Sequence, residues 1–181
     1  MKKILSVFLL SCVMCVSFAQ TLTLRVDSLT KALKETETVE GCRIHKNTVK
    51  AAAYNFLKAP YSKKDNIVRL SCLQLLLKWS ENTDELTIGL SENMHEGLLA
   101  KGIKDHELLS VYIAAVDYYA INTGISEVTL DAYIYAMEES LHFYEKYTKF
   151  IGKSKYWEKL LKLSADERIA RYAELYKKDN Q

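Results

Sequence analysis

Leu108-Leu109-Ser110-Val111-Tyr112-Ile113-Ala114-Ala115-Val116-Asp117-Tyr118-Tyr119-Ala120-Ile121 is apolar except at Ser110 and Asp117. The run contains neither glycine nor proline, which favours a helix, and its near-continuous apolarity makes that helix a buried one. Asp105 stands where an N-cap is needed. A second stretch behaves alike. From Ile67 to Trp79 the polar residues are Arg69, Ser71, Gln74 and Lys78, and the last three fall close together on a helical wheel. The spacing predicts a central, mostly buried helix here, opened by Ser62 or Asp65, with the 108–121 helix as the other buried candidate.

Working outward, the breakers Gly41, Pro60, Gly89, Gly97, Gly102, Gly124 and Gly152 leave long segments between them that carry helical periodicity. Leu22, Val26, Leu29 and Leu33 share a face of a first helix over 22–38, although Leu22, Leu24 and Val26 also alternate as a short strand would. Asn47 caps a helix presenting Val49, Ala52, Ala53, Phe56 and Leu57, which Pro60 ends. A linker or short extended piece over 85–91 leads to a short helix over 91–101. Ser126 caps a long helix running towards Phe150, with Val128, Ala132, Tyr135, Ala136, Leu141 and Phe143 for packing, and Gly152 stops it. A short helix over 155–162 carries Trp157, Leu160 and Leu161. Ser164 and Glu167 form a capping box for the last helix, which uses Ile169, Ala173 and Tyr176.

The expected fold class is all-α: an antiparallel helical bundle or stacked helix hairpins, with six to eight helices and no sheet. Tyr119, Gly124, Ala132 and Ala136 loosely match the tetratricopeptide pattern, but the unit lengths differ.

The amino terminus reads as a signal peptide over 1–19. Lys2 and Lys3 precede an apolar run from Ile4 to Val16, and Ser17-Phe18-Ala19 supplies small residues at the cleavage positions. Cleavage would leave Gln20 first and residues 20–181 as a single all-helical domain, exported to the periplasm or secreted. The run from Ile4 to Ala19 is shorter than the roughly 20 residues that span a bilayer. A lipoprotein reading would use Leu9-Leu10-Ser11-Cys12, and it wastes the apolar residues after the cut.

Removing 19 of the 181 residues leaves 162, and losing Lys2 and Lys3 brings the basic residues from 25 to 23, against 23 acidic. The formal charge is then zero. On that total no basic cluster is expected to neutralise phosphates, which argues against nucleic acid and against anionic membrane surfaces. Cys42 and Cys72 remain in an oxidising compartment, where a disulfide is permitted and would contribute about 3 to 4 kcal/mol in the chain-entropy model. Cys72 also suits a small buried apolar role between Ser71 and Leu73.

Ala52-Ala53-Tyr54-Asn55-Phe56-Leu57, Pro60, Arg69-Leu70, Gln74, Leu77-Lys78-Trp79, Thr83, Glu107-Leu108-Leu109 and Tyr112 form a packing pattern. Spanning roughly 47–122, it resembles a group of small exported helical proteins of Bacteroidota for which no activity is established. Phe18-Ala19-Gln20 is similar to the leader ends of exported proteins of that phylum. The resemblance implies export and an all-helical fold, and it implies no catalytic residue.

Three constellations carry potential chemistry. Glu92 with His95, and Glu139 with His142, each place a carboxylate and an imidazole three residues apart, as di-iron bundles require. Such a centre also needs carboxylates from two further helices, and the buried candidates offer Asp117 alone; solvated surface pairs are the simpler reading. His106, Ser110 and Asp117 lie along one stripe, but Ser110 rather than His106 is in the middle, about 10 Å from Asp117 at 1.5 Å per residue. They read as the solvent edge of a buried helix. No nucleophile elbow, phosphate loop or zinc-type cysteine cluster occurs.

Tyr112, Tyr118, Tyr119, Tyr133, Tyr135, Tyr144 and Tyr147 crowd two neighbouring helices, where rings can pack while hydroxyls stay wet. Core-edge packing accounts for most; a peptide-binding groove would use Tyr112, Tyr119, Tyr133 and Tyr135. The expected function is that of a non-catalytic exported protein binding an unidentified protein or peptide, with no cofactor. The alternatives are a metal-binding helical-bundle enzyme built on the two Glu-x-x-His pairs, and a small-ligand carrier.

Overall fold

The computed structural model describes residues 26–61, 67–89, 97–104 and 106–179. The proposed leader and its cleavage site, the caps Ser62, Asp65 and Asp105, and the pair Glu92 and His95 lie outside these residues. The chain forms α1 (Val26–Glu35), α2 (Val39–Ile44), α3 (Lys46–Lys58), α4 (Ile67–Asn82), α5 (Glu107–Thr123), α6 (Leu130–Ile151), α7 (Lys155–Leu160) and α8 (Ala165–Asp179). Among the described residues there is no sheet; a single parallel bridge joins Thr87 to Glu127, where the Thr87 N–H donates to the Ser126 carbonyl at 2.9 Å.

Helix α5 lies at the centre, packed against α3, α4 and α6, while α1 covers α4, and α7 and α8 cover α6. Its buried residues Leu108, Val111, Tyr112, Ala114, Ala115, Val116, Asp117 and Ala120 surround the axis, as an all-round apolar helix requires. Asp117 is itself fully buried rather than on a solvent edge. Small alanines on α3 and α5 let these helices approach closely, and Trp79, Phe56, Tyr112 and Trp157 fill the spaces between layers.

Several helix ends differ from expectation for a local reason. Helix α1 ends at Glu35, where the Thr36 hydroxyl donates to the Ala32 carbonyl, and a separate short helix α2 follows, its N-cap Thr38 accepting from the Gly41 N–H at 3.1 Å. Helix α3 starts after His45 rather than at an Asn47 cap. Thr129, not Ser126, caps α6: its hydroxyl accepts from the Ala132 N–H, while Ser126 lies three residues earlier, where its carbonyl accepts from the Thr87 N–H. The capping box is present: the Ser164 N–H donates to Glu167 Oε2 at 2.8 Å, and the Glu167 N–H donates to Ser164 Oγ at 3.4 Å.

Helix α4 is less buried than its nearly all-round apolar circumference led one to expect. Arg69, Cys72, Leu75, Leu76 and Trp79 face inward, but Ile67, Leu70 and Leu77 are 73%, 53% and 44% exposed. Helices α1, α3 and α5 cover only part of its circumference.

Gly152 ends α6 with φ +103, and the chain turns directly over Gly102, whose φ is +94. A Cβ on Gly152 would stand inside contact distance of the Gly102 carbonyl, and the Lys104 N–H donates to the Ile151 carbonyl at 2.8 Å. Two backbones thus meet where side chains cannot fit. That contact sets the exit direction of α6 and places α7.

Candidate functional site

The tyrosines separate into a core set and a surface set. Tyr112, Tyr133, Tyr144 and Tyr147 are buried. Tyr133 stands edge-on to Tyr112 at 6.2 Å and to Tyr172 at 6.3 Å, so it bridges α5, α6 and α8. Tyr112 and Tyr133 are therefore not groove residues. Their rings fill the interior, because α8 covers the α6 face that the groove needed open. Tyr144 serves the architecture directly. Its hydroxyl accepts from the Ser154 N–H at 3.0 Å and donates to Glu158 Oε1 at 2.9 Å, fixing the start of α7 against α6.

Tyr118, Tyr119 and Tyr135 are half-buried, and Tyr54, which the sequence pattern did not single out as a site, is exposed. Tyr54 on α3 pairs with Tyr118 on α5 at 6.0 Å between ring centroids, and Tyr119 pairs with Tyr135 on α6 at 5.5 Å. Glu139 follows Tyr135 by one turn, and Lys58 of α3 donates to it at 3.1 Å. Burial first, then the nearby Glu139 charge, pushes the Tyr135 phenol above its usual value, so this hydroxyl is a neutral donor at any physiological pH. Two aromatic pairs and one ion pair thus join α3, α5 and α6 with side chains that are exposed or half-buried.

The carboxylate of Glu139 is committed to Lys58, and His142 is exposed on the next turn of α6. Among the described residues, no three His, Cys, Asp or Glu side chains gather as metal ligands would. His106, Ser110 and Asp117 do not meet as a catalytic unit: His106 precedes α5 in a left-handed conformation (φ 53), the Ser110 hydroxyl donates to the His106 carbonyl, and Asp117 bonds to Ser80 of α4. Cys42 and Cys72 are free and buried rather than bonded to each other. Cys42 lies on α2, where its thiol donates to the Thr36 carbonyl, and desolvation pushes the Cys72 thiol up to about 11. Both are inert small core residues.

A buried cation ties α3 to its neighbours. Arg69 donates to the Phe56 carbonyl at 2.5 Å and to Glu107 Oε2 at 3.0 Å, while its guanidinium lies 3.7 Å from the centroid of the Phe56 ring. Phe56 is in the last turn of α3, so Arg69 satisfies one of the carbonyls that a helix end leaves open. This orients α3, and with it Tyr54 and Lys58.

A second assembly was not expected from sequence. Two adjoining basins, of about 390 and 600 Å³, share Lys155, Lys159 and Lys162 in their walls. The first also has Lys153, Ser154 and Glu158, and the second has Tyr156, Leu160, Leu163 and Arg171. The zero formal charge of residues 20–181 concealed this patch. The signal was local: from Lys146 to Lys162 six lysines stand against Glu158 alone.

Comparison with protein-family models, curated proteins and solved structures found no match to this chain. No helix of the described residues is long and apolar enough to cross a membrane.

Proposed function

We propose that this chain is an exported, non-catalytic interaction module that holds a partner protein or peptide against the face made by Tyr54, Tyr118, Tyr119 and Tyr135. The observation that carries the reading is the pairing of these rings across α3, α5 and α6, with the Lys58 to Glu139 ion pair beside them. Tyrosines held by packing supply contact area at little cost in conformational entropy, and their hydroxyls remain able to orient a partner's backbone. Such residues dominate the energetics of protein interfaces. The leader-like sequence over 1–19 supports export, and the resemblance to exported helical proteins of Bacteroidota is part of the same proposal.

The test is capture of partners by the mature protein in its native envelope, compared with a variant carrying Tyr119→Ala and Tyr135→Ala. Both side chains are half-buried, so folding of the variant is checked by circular dichroism and thermal melting. Saturable capture by the wild type that falls at least tenfold in the folded variant supports the face. Unchanged capture by the folded variant removes it.

A further inference from the structure

The basins around α7 have three properties that a solvated lysine-rich surface lacks. First, the cations converge. Lys155 and Lys159 stand one turn apart on α7, Lys162 lies in the turn just after that helix and lines both basins with them, and Arg171 reaches the larger basin from α8. Second, most of these charges are uncompensated. Among the described residues, Lys153, Lys155, Lys159 and Lys162 have no acidic group within ion-pair distance. Glu158, the carboxylate in the smaller basin, accepts from the Tyr144 hydroxyl, and Arg171 contacts Glu174 at 3.1 Å on the exposed side of α8.

Third, the walls are built. The Ser154 side chain caps α7, and Tyr144 ties its first turn to α6. Trp157 is fully buried and its indole N–H donates to the Gly97 carbonyl at 2.8 Å. The Tyr156 ring lies over Gly97 so closely that a Cβ there would stand 2.7 Å from its edge. Arg168 grips Glu138 of α6 with two bonds of 2.8 and 2.9 Å, which fixes α8 and hence Arg171. The larger basin therefore has a floor of Leu160, Leu163 and an aromatic ring beneath a rim of cations.

We infer that these basins bind a small, soluble ring compound carrying two or more oxyanion groups, whether phosphate, sulfate or carboxylate. The apolar floor and Tyr156 seat the ring, and the lysines and Arg171 take the anionic groups through charge-assisted hydrogen bonds. The 600 Å³ of the larger basin lies within the roughly 300 to 1,000 Å³ typical of small-molecule sites. That concavity favours a compact solute over a flat membrane or a nucleic-acid duplex.

The test is calorimetric titration of the protein at low ionic strength with inositol hexakisphosphate, sucrose octasulfate and benzenehexacarboxylate, with neutral inositol as the uncharged ring. The strongest of the three identifies the oxyanion. One-to-one binding is expected, absent for inositol, weakening as salt screens the charges. Lys155→Gln with Lys159→Gln should weaken it roughly a hundredfold, about tenfold per charged hydrogen bond removed. Lys31→Gln with Lys34→Gln on α1 removes the same net charge and should leave binding within about twofold of wild type, since these residues line neither basin. All four lysines are exposed, so these variants fold. The inference is overturned by no saturable binding of any of the three anions at millimolar concentration, or by equal weakening in both double variants. It is also overturned if phosphatidylglycerol vesicles or duplex DNA bind and inositol hexakisphosphate does not compete.

Discussion

Asp117 is the residue whose surroundings are least like those of its type. It is fully buried in the middle of α5, and the side chain beside it is Ser80, whose Oγ lies 3.0 Å from both carboxyl oxygens and 3.0 Å from the Leu76 carbonyl. A serine hydroxyl has one proton to give. A neutral Asp117 that donates to Ser80 Oγ, while Ser80 donates to Leu76, leaves no acceptor pair facing each other without a proton. Burial pushes this carboxyl well above the usual range, against the opposing effect of the Ser80 bond, which agrees with that arrangement. Because the folded-state value is raised, the unfolded chain loses its proton first as pH rises, so this group's contribution falls with pH above about 4. Asp117→Asn keeps the shape and removes the titration. Urea unfolding from pH 4 to 9 should find the variant gaining on wild type as pH rises; a variant that loses ground with rising pH would mean that Asp117 is buried as an anion.

The same residue marks a limit of sequence reading. Composition placed Asp117 on a solvent edge because aspartate is rarely buried, and no spacing rule connects it to Ser80, which is 37 residues away on another helix. Tyr112 and Tyr133 have a similar lesson. Their helical positions were legible, but whether α8 would cover them was not, since that depends on the angle at which the chain returns after α7.

Among the elements, helix existence was legible wherever a long segment lacked breakers. The burial of α5 followed directly from its apolar circumference, whereas the central place was expected for α4 and belongs to α5. The outer side of α4 did not. Ile67, Leu70 and Leu77 are as apolar as the buried Leu75 and Leu76, and only the positions of α1, α3 and α5 determine which of them is exposed. The end of α1 and the start of α6 differ from expectation at Thr36 and Thr129, whose side chains make local bonds to the Ala32 carbonyl and the Ala132 N–H, and Thr38 opens the separate α2 in the same way.

The connection from α6 into α7 has a sharper requirement. Gly152→Ala demands a side chain at φ +103 and a Cβ against the Gly102 carbonyl. A loss of about 3 kcal/mol is expected in chemical denaturation. The displacement of α7 should also reduce anion binding in its basins. A variant as stable as wild type would contradict the back-to-back placement of the two glycines.

At the scale of the whole molecule, the bundle presents two unlike surfaces. The tyrosine face joins α3, α5 and α6, elements locked together by the central packing and by Arg69, which ties α3 to α4 and α5. The lysine basins are set on α7 and α8, the outer layer over α6. Among the described residues, His106, Ser110 and Asp117 do not meet, and no three His, Cys, Asp or Glu side chains gather as metal ligands would. Total charge could not disclose the second surface, because acidic residues elsewhere cancel it. The first was half legible: Tyr119 and Tyr135 were correctly placed on facing helices, while Tyr54 required knowing that α3 packs beside α5.

The interaction reading is tested most directly by replacing Tyr119 with a photo-reactive phenylalanine analogue in cells, with the same replacement at exposed Ala170 on α8 as the comparison. A discrete cross-linked partner at position 119, absent at 170 and competed by added unlabelled mature protein, is the expected result. Equal cross-linking from both positions, or none from 119 in a correctly folded and exported protein, would contradict a partner seated on the tyrosine face.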